Sequence, residues 1–139
     1  MSKLFKARHA MGPVVRGPAL VADDGFSARY DLDRIKGVFS RPAHKLAGKS
    51  YVGRILVLET AKGGVASAWM LREMAERKLA PLAIIFDRTN TILAQGAAFA
   101  DMPMVDRFEK GRPTQLIRTG DRLRIEAAAG RVTILNRAS

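Results

Sequence analysis

The segment Val57-Leu58-Glu59-Thr60-Ala61-Lys62-Gly63-Gly64-Val65-Ala66-Ser67 holds the residue types best suited to chemistry on an anion. An apolar run ends, a glycine pair follows and an amphipathic run begins, which reads as strand, tight connection and helix. At such a junction free backbone N–H groups and the helix dipole face a negative charge. Gly63 and Gly64 let the backbone approach a ligand with no Cβ between them. Lys62 adds a mobile positive charge at the same mouth. Ser67 falls in the first helical turn, where a hydroxyl can point at the bound group. The spacing is neither G-x-x-x-x-G-K-[ST] nor G-x-G-x-x-G, so neither nucleotide loop is present. The same residues also make a plain glycine turn in which Ser67 satisfies backbone groups.

A second candidate is Asp87 to Gln95, which follows the next apolar run. In a parallel sheet its loop leaves from the same edge as the Lys62–Ser67 loop. Arg88 can meet an anion there. Asn90 can bind alongside it or cap the helix that follows. His9, in a basic stretch, and His44, in a Pro-containing loop, are of the residue type used for proton transfer but read as exposed structural residues, with no carboxylate at useful spacing. Asp23-Asp24 reads as part of a turn rather than an acid–base pair. Met70, Met74, Met102 and Met104 fit core packing.

Composition narrows the chemistry further. The 139 residues hold 24 Lys+Arg against 13 Asp+Glu, a formal charge of +11, with two His and no Cys. Without Cys there is no disulfide, no thiolate-held metal or cluster and no cysteine nucleophile from this chain. Two distant His make a self-contained metal site a poor fit, so no cofactor is expected on this chain. No apolar run reaches the roughly 18 residues of a membrane span. Met1 to Gly12 lacks the apolar stretch of a secretory signal, so the expected location is the cytoplasm. The basic residues are spread from Lys3 to Arg137, and the nine aromatic residues are not interleaved with them as a base-stacking surface requires. Nucleic acid is therefore the weaker partner, and a small anionic substrate or an acidic protein the stronger one.

The elements that must hold these residues follow from periodicity. Strands are expected at Val14–Ala22, Phe26–Tyr30, Val52–Glu59, Leu79–Phe86, Met102–Val105, Thr114–Arg118, Arg122–Glu126 and Arg131–Leu135. Turns punctuate the last two at Gly120-Asp121 and Ala129-Gly130. Ala66–Lys78 is the strongest helix, with Ala66, Trp69, Met70 and Met74 on one stripe, and Thr91–Ala100 reads as a short one. Asp87–Asn90 and Asp106–Pro113 are expected as loops. The order gives an α/β fold: a mixed central sheet with parallel pairing, short helices and a β-hairpin layer from both ends. Residues 1–12 are expected as a flexible basic segment, and residues 13–136 as a single domain.

From Gly17 to Val105 the chain resembles the small subunit, or swivelling domain, of the aconitase X family. Gly17-Pro18-Ala19-Leu20-Val21 is similar to its opening GxAL strand. His44-Lys45-Leu46-Ala47-Gly48-Lys49-Ser50 resembles its HPLAGxS turn, with Lys45 in place of Pro. Ala80–Ile85 and Ile92–Ala97 resemble its APAAIV and ILALGA segments. The resemblance implies a swivelling β/β/α domain that closes over a large catalytic subunit carrying iron or an iron–sulfur cluster. It implies dehydration of a small hydroxy acid, such as cis-3-hydroxy-L-proline or phosphorylated mevalonate, by a chain inactive without its large subunit. It also implies a loop Ser as proton acceptor. Here the usual Ser-rich loop reads Gly63-Gly64-Val65-Ala66-Ser67, and gapless matching sets Ser67 one residue from a family serine. Ser67 is the one hydroxyl between Lys62 and Arg88, so the role passes to it, with Lys62, Gly63, Gly64, Arg88 and Asn90 as substrate-binding residues. The alternative is a non-enzymatic basic domain that binds nucleic acid or an acidic protein.

Overall fold

The apolar run Ile55-Leu56-Val57-Leu58 is continuous because its strand is covered on both faces. In the computed structural model, which describes residues 3–26, 31–61, 65–88 and 102–137 (backbone alone for 61 and 65–69), it lies in β6 (Ile55–Ala61). Ile55 and Val57 point into a barrel, while Leu56 and Leu58 point outward under a second layer, and all four are fully buried.

The barrel is a sheet that closes on itself. Its strands are β1 (Lys3–Met11), β2 (Val15–Val21), β6, β7 (Ala83–Arg88), β8 (Met104–Phe108), β9 (Arg122–Glu126) and β10 (Arg131–Asn136). They run in the order β2-β9-β10-β1-β8-β7-β6, and β6 pairs back onto β2. Neighbours β2, β6, β7 and β8 are parallel; the remaining pairs are antiparallel. The short strand β3 (Gly25–Phe26) takes over the edge of β6 at Thr60 and Ala61, beyond the point where β2 leaves it. A separate ribbon joins β4 (Leu32–Asp33) and β5 (Val38–Phe39).

Two cores result. Inside the barrel Ala19, Ile55, Val57, Ile85, Val105, Leu123, Ile125, Val132 and Ile134 pack together. Outside it Leu56, Leu58, Ile84, Phe86 and Met104 meet Leu71 and Met74 of α1 (Val65–Glu76) and Phe39, Leu46 and Tyr51 of the 31–52 segment. Gly17 sits where β2 passes closest to the start of β7: a Cβ there would come within 2.5 Å of Leu82 Cδ1. Arg107 in β8 has φ +60. Its left-handed backbone shifts the alternation, so Val105 and Phe108, three residues apart, both reach the inner core.

The mixed sheet and the terminal hairpin stand as expected, but the fold is mostly β. The hairpin is no separate layer, because β9 and β10 close the barrel between β2 and β1. Residues 3–11, expected outside the domain as a basic segment, form β1 in the middle of the sheet. The alternation of basic and apolar residues there is the period-2 signature of a strand with one wet face. The expected strand Thr114–Arg118 is instead α2 (Pro113–Leu116), a single turn with Pro at its first position. A proline with its φ preset for a helix outweighs the short apolar run after it. On α1 the buried stripe runs through Leu71 and Met74, with Met70 partly buried beside them. The expected helix Thr91–Ala100 and residues 27–30 of the expected strand Phe26–Tyr30 lie outside the described residues.

Candidate active site

Parallel β6 and β7 run side by side and end together, with Thr60 opposite Arg88. The helix α1 begins at Val65, four residues after β6 ends at Ala61. Its first turn, with Ser67 as the third helical residue, therefore returns from the end of the sheet where β6 stops. That is the strand–loop–helix junction expected to favour an anion. Arg88 is the last residue of β7 and is exposed at this end. The strand runs two residues further than expected, so Asp87 and Arg88 belong to the sheet rather than to a loop. Lys62, Gly63, Gly64 and Asn90 lie outside the described residues.

The same end of the sheet carries a polar cluster that spacing alone did not reveal. The Asp87 carboxylate is 8% exposed. Its Oδ2 accepts from Arg112 Nε at 3.1 Å, Arg112 Nη2 at 2.9 Å and Thr114 Oγ1 at 2.6 Å. Its Oδ1 accepts from the Thr114 amide at 3.0 Å. Arg112 Nη2 also stands 3.5 Å from Glu59 Oε2 on β6. The hydrogen bond and charge of Asp87 raise the Arg112 pKa further above its ordinary value. Arg112 and Thr114 lie 25 and 27 residues from Asp87. No local pattern reports a contact of that range; the usable signal was topological, namely that two parallel strands end at the same edge.

A second cluster forms around His44, which is 3% exposed and not a surface residue as expected. Its Nε2 donates to the Gly25 carbonyl at 2.8 Å, and its Nδ1 accepts from the Leu46 amide at 3.0 Å. The ring stacks on Phe39 with centroids 4.6 Å apart. Both nitrogens are committed to backbone groups, which fixes one neutral tautomer and leaves neither to shuttle a proton. The carboxylates of Asp24 and Asp31 stand 3.9 Å from Nε2, a proximity that sequence spacing hid. Burial pushes the Asp24 pKa up, but amide hydrogen bonds from Lys45 and Gly25 and the charge of Arg41 hold it below its ordinary value. Lys45 pairs with Asp23, lowering the Asp23 pKa and raising its own. His9 is exposed on β1, opposite Asp106 in register.

The fold has a counterpart among known proteins. A family model described as the aconitase X swivel domain matches residues 4–134. The chain belongs to the aconitase X swivel-domain family. It is 31% identical to the phosphomevalonate dehydratase small subunit of Thermococcus kodakarensis, covering 94% of this chain and 96% of the relative. It is 30% identical to the protein of the same name from Methanosarcina mazei, covering 94% and 90%. The crystal structure of Thermococcus kodakaraensis aconitase X (holo-form) superposes with a TM-score of 0.88 at 29% identity, over 96% of this chain and 99% of that one. The expectation of an aconitase X swivel domain, a hydro-lyase subunit, holds with the family.

Within the swivel domain the turn from His44 to Ser50 acts as architecture. His44 ties it to β3, Leu46 fills the outer core, and Ser50 Oγ donates to the Gly37 carbonyl at 3.1 Å. The Lys45 amide donates to Asp24 at 3.1 Å. Among the described residues no group of three His, Asp or Glu is placed to hold a metal ion, and the chain has no Cys to ligate a cluster. Among them, too, no helix is long and apolar enough to cross a membrane.

Proposed function

We propose that this chain is the small subunit of an aconitase X-type hydro-lyase, and that it completes the active site of a large catalytic subunit in the cytoplasm. The substrate is a small phosphorylated hydroxy acid. The observation that carries this reading is near full-length similarity to small subunits named for phosphomevalonate dehydration. The end of the sheet where β6 and β7 stop agrees with it, because an anion placed there meets a helix N-terminus and an exposed Arg88.

Dehydration takes a proton from one carbon and the hydroxyl from its neighbour, leaving a carbon–carbon double bond and water. In this reading Ser67 Oγ accepts the carbon-bound proton. A serine does so only when its anionic form is stabilised, and the start of α1 together with Lys62 supplies that field. Lys62, Arg88, Asn90 and the backbone of Gly63 and Gly64 hold the anionic groups of the substrate. Among the described residues no ligand set for iron or an iron–sulfur cluster forms, and the chain has no Cys, so in this reading the centre implied by the family is held by the large subunit.

Co-expression with the large subunit, followed by assay of phosphomevalonate and of cis-3-hydroxy-L-proline for loss of water, tests the reading. The pair dehydrates the phosphorylated acid and the isolated chain does not. Ser67→Ala lowers kcat by roughly 100-fold or more, the range for loss of a general base. Full turnover by Ser67→Ala removes that role, and a wild-type pair with no activity on either acid overturns the substrate assignment.

A further inference from the structure

We infer that Arg112 is a positioning residue, clamping the ends of β6 and β7 so that Thr60 and Arg88, from which the two loops depart, keep a fixed spacing. The inference rests on the function proposed above for those loops. One guanidinium reaches both strands, with Nε and Nη2 on Asp87 of β7 and Nη2 at 3.5 Å from Glu59 of β6. Asp87 immediately precedes Arg88, and Glu59 stands three residues before Lys62. The clamp therefore closes at the last rungs before the chain departs toward the substrate.

Three features make this more than a surface ion pair. Asp87 accepts four hydrogen bonds, so its carboxylate has one orientation rather than many. Arg112 is held in turn, because its carbonyl accepts from the Gln115 and Leu116 amides and α2 packs against both strands. Its planar fork grips one carboxylate while reaching a second, a geometry that a lysine ammonium does not reproduce. The same charge also offsets Glu59 and Asp87, two carboxylates beside a site that must attract an anion.

Two substitutions separate geometry from charge. In the co-expressed pair Arg112→Lys keeps the charge and loses the fork. It is expected to lower kcat on phosphomevalonate on the order of 10- to 100-fold with little change in KM. Arg112→Gln also loses the charge, so KM rises as well. A merely stabilising Arg112 would lower the melting temperature of both variants and leave kcat per folded molecule unchanged. Thr114→Val removes one hydrogen bond from the same Asp87 oxygen without disturbing the fork, and carries the test if the Arg112 variants do not fold. Wild-type kcat in Arg112→Lys, or in Thr114→Val where that variant carries the test, overturns the inference and leaves the lyase reading intact. A Ser67→Ala pair with full turnover beside a crippled Arg112→Lys pair overturns the Ser67 role and leaves the clamp. Amide hydrogen exchange needs no substrate: exchange at Thr60, Ala61, Asp87 and Arg88 should quicken roughly tenfold in Arg112→Lys. Unchanged exchange there overturns the clamp even if the pair dehydrates neither acid.

Discussion

Tyr51 carries its hydroxyl into the outer core, where the side chain is fully buried and the oxygen has no partner among the described residues. An unsatisfied buried hydroxyl costs about 1–3 kcal/mol. Tyr51→Phe should therefore raise stability in urea denaturation, by about 1 kcal/mol once lost contacts are counted. A fall in the midpoint would mean that the hydroxyl has a partner after all. Asp24 has the opposite character. Its folded pKa lies below the ordinary 3.8, so its contribution is fully present above that value and is lost as pH falls through the depressed one. The Asp24 contribution should stay constant from neutrality to about pH 5 and fall away below about pH 4, read as the difference in acid stability between wild type and Asp24→Asn. His44 marks the limit of reading single residues. Its type and neighbours were visible, but the Gly25 carbonyl that buries it is 19 residues away, and no local rule reports such a contact.

At the scale of elements, α1 ends in a Schellman motif. The Leu79 amide donates to the Met74 carbonyl and the Lys78 amide to that of Ala75, with Lys78 at φ +58. A β-carbon at that backbone angle is strained. Lys78→Gly should stabilise the domain by roughly 0.5–1 kcal/mol, read as a raised melting temperature with an unchanged denaturant slope. The core strands were legible because two-sided burial leaves an unbroken apolar run, as in Ile55–Leu58 and Ala83–Phe86. Residues 113–116 were not, since one helical turn presents no period and its Pro-Thr-Gln-Leu sequence suits several structures. The candidate site was legible at the level of its junction, strand then glycine pair then helix. Its supporting cluster was not, because Asp87, Arg112 and Thr114 meet only after the sheet has formed.

At the scale of the whole molecule, the net charge of +11 has a geometric expression. On the outer face of β2 and β9, Arg16 lies directly opposite Arg124 in register; Glu126 pairs with Arg124 at 3.1 Å, which leaves Arg16 as the charge that an anionic surface would meet. The reading of the chain as one subunit of a pair makes that surface an acidic protein. Association with the large subunit should weaken as salt rises from 50 to 500 mM, roughly as expected for screened charges. Titration with duplex or single-stranded nucleic acid at low salt should remain flat, and a steep salt-dependent isotherm would instead favour the nucleic-acid alternative.

Closure of the barrel also sets how the chain can be rewired. Strands β1 and β10 are hydrogen-bonded neighbours, with Lys3 opposite Ile134. A linker of a few residues can therefore join position 136 to position 3 without crossing the molecule, and the hairpin turn at Gly130, with φ +64, can be opened to make new ends. The circular permutant should fold to the same barrel and pair with the large subunit as the parent does, as circular dichroism and co-purification would show. Chain order would then be interchangeable at this junction, with the barrel pairing and the two cores holding the fold.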